Sequence, residues 1–102
     1  MDQPTSQEQV LSRLRAHQQE LRVAGIEHLA LFGSVARQEN TPSSDVDLMG
    51  DFDHTARLNL FDMVGLESRL SEIVGARVEL SDRKMLKQPV KLRAEREAIF
   101  AF

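Results

Sequence analysis

The sequence contains no cysteine, no tryptophan and no tyrosine, and each absence removes a class of chemistry. Without cysteine there is no disulfide framework, no thiolate metal site and no cysteine nucleophile. The composition fits a reducing compartment. Without tryptophan or tyrosine, and with only 5 phenylalanines, the chain lacks the stacking platform that single-strand nucleic-acid binders use. Direct nucleic-acid binding is therefore not the expected role, in spite of a basic C-terminal segment. No stretch approaches the roughly 20 apolar residues that span a bilayer. The start, MDQPTSQEQV, is polar and acidic where a secretory signal is basic and then apolar. No membrane association is expected, and the expected location is cytoplasmic.

What is present is a globular balance of 41% hydrophobic and 28% charged residues over 102 positions. That length predicts a single domain over 1–102, able to bury roughly two thirds of its unfolded surface. The net charge of −3 conceals a segregation along the chain. Asp45, Asp47, Asp51 and Asp53 crowd one segment, while Arg83, Lys84, Lys87, Lys91, Arg93 and Arg96 crowd another. Carboxylates that close, with no base among them, need water or a cation.

Periodicity predicts alternating helices and strands. Val10, Leu11, Leu14 and Leu21 mark one face of a helix from Gln7 to Val23, opened by a Thr5/Glu8 capping box with Pro4 outside it and stopped at Gly25. IEHLALF (26–32) reads as a buried strand that runs straight into Gly33, and 34–38 as a short helical turn. After the turn cluster ENTPSS, DVDLMGDF alternates acid and apolar residues as a second strand. The segment 59–75 predicts a helix capped by Asn59 and ended by Gly75, with Leu60, Met63, Val64, Leu70, Ile73 and Val74 on its stripe. ARVELS (76–81) is a third strand with Glu79 outward, and Met85 to the end a helix restarted at Pro89, with Val90, Ala94 and Ile99 on one face. Phe32, Phe52 and Phe61 are expected in the core. His17, His28 and His54 have no metal-ligand spacing and read as surface or core-edge residues.

The chemistry concentrates in LFGSVARQENTPSSDVDLMG (31–50), where Gly33 and Ser34 stand ten residues ahead of Asp45-Val46-Asp47. Residues two apart on a strand project from one face about 6.5–7 Å apart along the backbone, so Asp45 and Asp47 aim two carboxylates into one small volume. Mg²⁺ prefers such oxygens and completes its shell with waters and substrate phosphates. Gly33, where a strand turns into a helix, permits close backbone approach, and the amides that follow, with the Ser34 hydroxyl, suit an anion. Taken alone, an Asp-x-Asp is a solvated strand exit and a Gly-Ser a turn. Together, joined by a short loop, they suit a metal-bound triphosphate, and Glu79 on the neighbouring strand can accept a proton from an attacking hydroxyl.

These residues resemble the signature of the minimal nucleotidyltransferases (MNT) of the DNA polymerase beta superfamily. Gly33, Ser34, Ala36, Arg37, Ser44, Asp45 and Asp47 match it. The flanking LALFGS, LFDMVGL and GARVEL segments are also similar to the family. The resemblance implies an α/β (α+β) polymerase-beta-like fold, a small mixed sheet with helices packed on it. It implies ATP as cosubstrate, two Mg²⁺ ions held by Asp45, Asp47 and Glu79 as catalytic carboxylates, and nucleotide binding by Gly33, Ser34 and Arg37. Two positions depart from the pattern: many relatives have aspartate where this chain has Glu79, and glycine where it has Gln38.

Many MNT proteins are paired with a HEPN-domain toxin, which they adenylylate on a tyrosine or mask by binding. The resemblance therefore implies an antitoxin that transfers AMP to a partner hydroxyl. The alternatives are a stoichiometric binder with a decayed site, or the nucleotide-binding subunit of a two-chain small-molecule nucleotidyltransferase.

Overall fold

The computed structural model describes residues 5–102, so Pro4 lies outside the described residues. Four strands form a mixed sheet in the order β3-β2-β1-β4. Strand β1 (Ile26–Phe32) sits centrally, antiparallel to both β2 (Val46–Phe52) and β4 (Ile99–Phe100), while β3 (Val78–Asp82) runs parallel to β2. The mixed α/β architecture agrees with the expectation.

Sequence alternation assigns the two faces. Leu29, Leu31, Val46, Leu48 and Val78 join the main core with Val10, Leu11 and Leu14 of α1 (Gln7–Ala16) and Leu66, Leu70 and Val74 of α4 (Leu60–Val74). The other face carries Ala30 and Met49, on which α5 (Val90–Glu97) lays Ala94. Among the described residues no helix is long and apolar enough to cross a membrane.

The first predicted helix is two helices, α1 and α2 (Gln18–Val23). His17 makes the break: its ring Nδ1 donates to the Arg13 carbonyl at 2.9 Å, the acceptor its own N–H would use in a continuing helix. That N–H turns instead to the Leu14 carbonyl at 3.1 Å, the tighter bond of a helix end. The capping box also sits one residue later than expected, at Ser6 and Gln9. Both pairs satisfy the same pattern, and the extended Ser6 backbone decides between them.

Helix α4 has the predicted bounds, with Asn59 accepting the Asp62 N–H and a left-handed Gly75 ending it. Its predicted stripe is only partly a core face: Leu70 and Val74 are buried, as is Leu66 off that stripe, whereas Leu60 and Val64 on it are 75% and 56% exposed and Phe61 beside it is 85% exposed. Phe61 is therefore not a core residue. Periodicity identifies a face but not how far along it a neighbour reaches. Phe32 and Phe52 do pack against the core clusters.

The C-terminal stretch ends as a strand, not as helix. After Glu97 the backbone becomes extended at Ala98, Ala101 donates to the Leu29 carbonyl, and Arg15 donates to the Phe100 and Ala101 carbonyls. Of the residues expected on its face, Ala94 is buried and Val90 is half exposed.

Gln38, one of the departures from the family pattern, has φ +59°. A left-handed non-glycine residue costs about 1–2 kcal/mol, partly offset because glycine loses more entropy on folding. Gln38→Gly is expected to raise stability by up to about 1 kcal/mol, read as a higher denaturant midpoint at unchanged m-value.

Candidate active site

Strand register assembles the site. Phe32 pairs with Asp47 across β1 and β2, and Asp47 pairs with Glu79 across β2 and β3. Paired residues share a face, so Phe32, Asp47 and Glu79 follow one line across three strands on the side that α5 partly covers, and Gly33 comes directly after Phe32 at the end of β1. Asp45 precedes β2 by one residue. The β3 edge is held by α4: Glu67 accepts the Leu80 N–H at 2.8 Å and the Ser71 hydroxyl accepts the Val78 N–H at 3.0 Å. These two contacts secure the strand that carries Glu79.

Gly33 opens the one-turn helix α3 (Gly33–Ala36) with φ +78°. A Cβ built there would lie 2.2 Å from Asp47 Oδ2 and 3.0 Å from its Cγ. The carboxylate thus rests directly on the glycine backbone, an approach only a residue without a side chain permits.

Burial raises the Asp47 carboxyl above its ordinary pKa, and the charges of Glu79 and Asp45 raise it further, with Arg37 opposing. The carboxylates are therefore short of positive charge. A hard divalent ion such as Mg²⁺ fits this oxygen donor set on charge and ligand type. Among the described residues no three His, Asp or Glu side chains are gathered closely enough to enclose an ion alone. Mg²⁺ sites of this class draw their remaining ligands from water and substrate phosphates.

Asp51 and Asp53, the rest of the acidic segment, have other partners. Asp51 accepts from Arg83 Nε at 2.7 Å, and Arg83 also reaches Glu95 at 3.1 Å. Asp53 caps a 3₁₀ turn through the Thr55 N–H and hydroxyl. Part of the acidic segment and part of the basic segment thus meet in space, where an ion pair replaces the cation that spacing alone invites.

A cleft of about 270 Å³ is lined by Gly33, Ser34, Arg37 and Asp47, and across from them by Arg93 and Glu97 of α5. Asp45 and Glu79 lie outside this lining. Arg37 is engaged with two acids, donating to Glu39 at 3.1 Å and Glu97 at 2.9 Å. Arg93 and Glu97 are the lining residues that motif reading misses. The available signal is helical spacing, since Val90, Arg93, Ala94 and Glu97 follow one another at three, four and seven.

A mixed sheet that lines up acids beside a glycine-opened turn is the framework of a nucleotidyltransferase. Comparison with known proteins narrows that class. The chain belongs to the family described as Polymerase beta, Nucleotidyltransferase, which matches residues 16–100, and it is a nucleotidyltransferase of the minimal, MntA-like kind. It is 35% identical to the protein adenylyltransferase MntA of Thermococcus cleftensis over 94 residues, 91% of this chain and 93% of that one. A solved minimal nucleotidyltransferase superposes with a TM-score of 0.69 at 31% identity, over 87% of this chain and 93% of that chain. A toxin–antitoxin crystal structure with AMP-PNP shares the fold at a TM-score of 0.68 and 17% identity, over 93% of this chain and 71% of that chain.

Proposed function

We propose that this nucleotidyltransferase moves AMP from ATP to a hydroxyl of a partner protein, a tyrosine of a HEPN-domain toxin, and so acts as its antitoxin. The observation that carries the reading is Asp47, seated against the Gly33 backbone and paired with Glu79 on the neighbouring strand. In this reading Gly33 and Ser34 hold the triphosphate with Arg37 beside them, and Asp45, Asp47 and Glu79 would hold two Mg²⁺ ions. Mg²⁺ bound there supplies charge neutralisation and in-line orientation of the leaving group.

The acceptor oxygen forms a bond to the α-phosphorus while the bond from that phosphorus to the bridging oxygen breaks. Pyrophosphate leaves with the electron pair, and the hydroxyl proton passes to the Glu79 carboxylate. The Thermococcus cleftensis relative is named a protein adenylyltransferase, which supports a protein acceptor. The fold neighbour with AMP-PNP is a toxin–antitoxin assembly, and the resemblance of the motif to HEPN-paired proteins supports the same kind of partner.

Incubation with ATP, Mg²⁺ and the candidate toxin, followed by intact mass measurement, tests the reading. The expected result is a gain of one or more AMP units on the toxin, and an unmodified but stable complex overturns it in favour of masking. Glu79→Gln is expected to lower the transfer rate by about 10²–10⁴-fold, whereas Glu79→Asp keeps measurable transfer. Equal rates for all three proteins would remove Glu79 from the chemistry.

A further inference from the structure

Glu97 stands where a phosphate would. Its Oε2 accepts the Gly33 N–H at 3.1 Å, and its Oε1 accepts from Arg37 Nη1 at 2.9 Å. The side chain is 16% exposed and lines the same cleft as Ser34 and Asp47. An amide N–H and a guanidinium converging on two oxygens make an anion cradle, and here the anion comes from the chain itself.

Helix stability does not account for this placement. Glu97 is the last residue of α5, where the carbonyl end of the helix disfavours a negative side chain. The contacts that offset that cost come from Gly33, which opens α3, and Arg37, which closes it, not from its own helix.

We propose that the Glu97 carboxylate is an internal competitor of the nucleotide triphosphate, so that α5 sets how tightly the Gly33–Ser34 turn binds phosphate. This inference rests on the reading above, in which that turn holds the triphosphate. A phosphate oxygen taking the Gly33 N–H must displace Glu97 Oε2, because one N–H serves one such acceptor well and two anions there repel. Arg93 offers the displaced carboxylate a new partner. It lies one turn earlier on the same face of α5, lines the same cleft, and makes no ion pair among the described residues.

The test compares wild type, Glu97→Gln and Glu97→Ala for binding of inorganic triphosphate and of adenosine, each with Mg²⁺, by titration calorimetry. Glu97→Gln preserves size and an acceptor for the Gly33 N–H but removes the charge, and thermal melting of each variant confirms that it is folded. Both variants are expected to bind triphosphate about tenfold more tightly than wild type, since both lose the negative charge that competes for the turn, with adenosine binding unchanged. Equal or weaker triphosphate binding by Glu97→Gln overturns the proposal while leaving the triphosphate reading intact if wild type still binds. Tighter binding of adenosine as well assigns Glu97 a general effect on the cleft and also overturns it. If neither wild type nor variants bind triphosphate, the turn is not a phosphate site and both readings fall.

Discussion

Asp47→Asn is expected to lower AMP transfer by more than about a hundredfold, beyond the 10–100-fold that losing an outer-shell partner of a metal ligand costs, while making the protein more stable in the absence of ligands. The two effects have one cause. Asp47 is pressed against the Gly33 backbone and faces Glu79 and Asp45, so burial and like charge both oppose its ionised form. Asparagine keeps the shape, removes the charge and gives Glu79 a donor. The folded-state pKa of Asp47 lies above its unfolded value, so its ionisation costs stability near neutral pH, and that cost is relieved as pH falls through the raised value. The melting advantage of Asp47→Asn should therefore shrink over the same fall in pH. Added Mg²⁺ should raise the Tm of wild type by mass action and leave that of the variant nearly unmoved. A variant that keeps its transfer rate and its Mg²⁺ response would remove Asp47 from the metal site.

Gly33→Ala is expected to damage both fold and chemistry. The left-handed backbone at φ +78° costs alanine about 1–2 kcal/mol. The new methyl also falls 2.2 Å from Asp47 Oδ2, so the carboxylate must move. Together these should lower Tm by on the order of 5–15 °C and reduce transfer by about a hundredfold, the usual consequence of misplacing a reacting group by an ångström. The collision can be isolated. In an Asp47→Ala background the carboxylate is gone, leaving the backbone cost and a 3.1 Å contact with the Cβ at position 47, so the stability penalty of Gly33→Ala should be smaller than in wild type. Additive penalties from the two substitutions would show that the conflict is not with the carboxylate.

Much of the fold is legible from spacing and end signals. Strand β1 occupies the predicted 26–32, and α4 has the cap and stop that Asn59 and Gly75 announce. What spacing misses depends on neighbours. His17 breaks the first helix through a ring-to-carbonyl bond, and no periodicity records that competition. Phe61 is a large apolar residue expected in the core yet is exposed, because the buried residues of α4 are Leu66, Leu70 and Val74 farther along. Ile99 and Phe100 become a strand because β1 has an open edge and Arg15 holds their end of the chain, both set by residues far away in sequence.

Gln38 illustrates a signal that sequence carries without explaining. The resemblance leads to an expectation of glycine there, and a physical reason appears only as a positive φ. The charge segregation is another, since it marks two segments of opposite sign but not that Asp51 and Arg83 meet at 2.7 Å.

By itself the sequence determined β1, β2, β3 and α4, the Gly33–Ser34 turn and the alternation that puts Asp47 opposite the core, because caps, turns and periodicity act within a few residues. Only the tertiary structure decided that Asp47 lies between Gly33 and Glu79, and that Glu97 reaches the Gly33 amide from 64 positions away. Those relations come from strand register and helix docking, where packing of the whole sheet selects among pairings that local sequence leaves open.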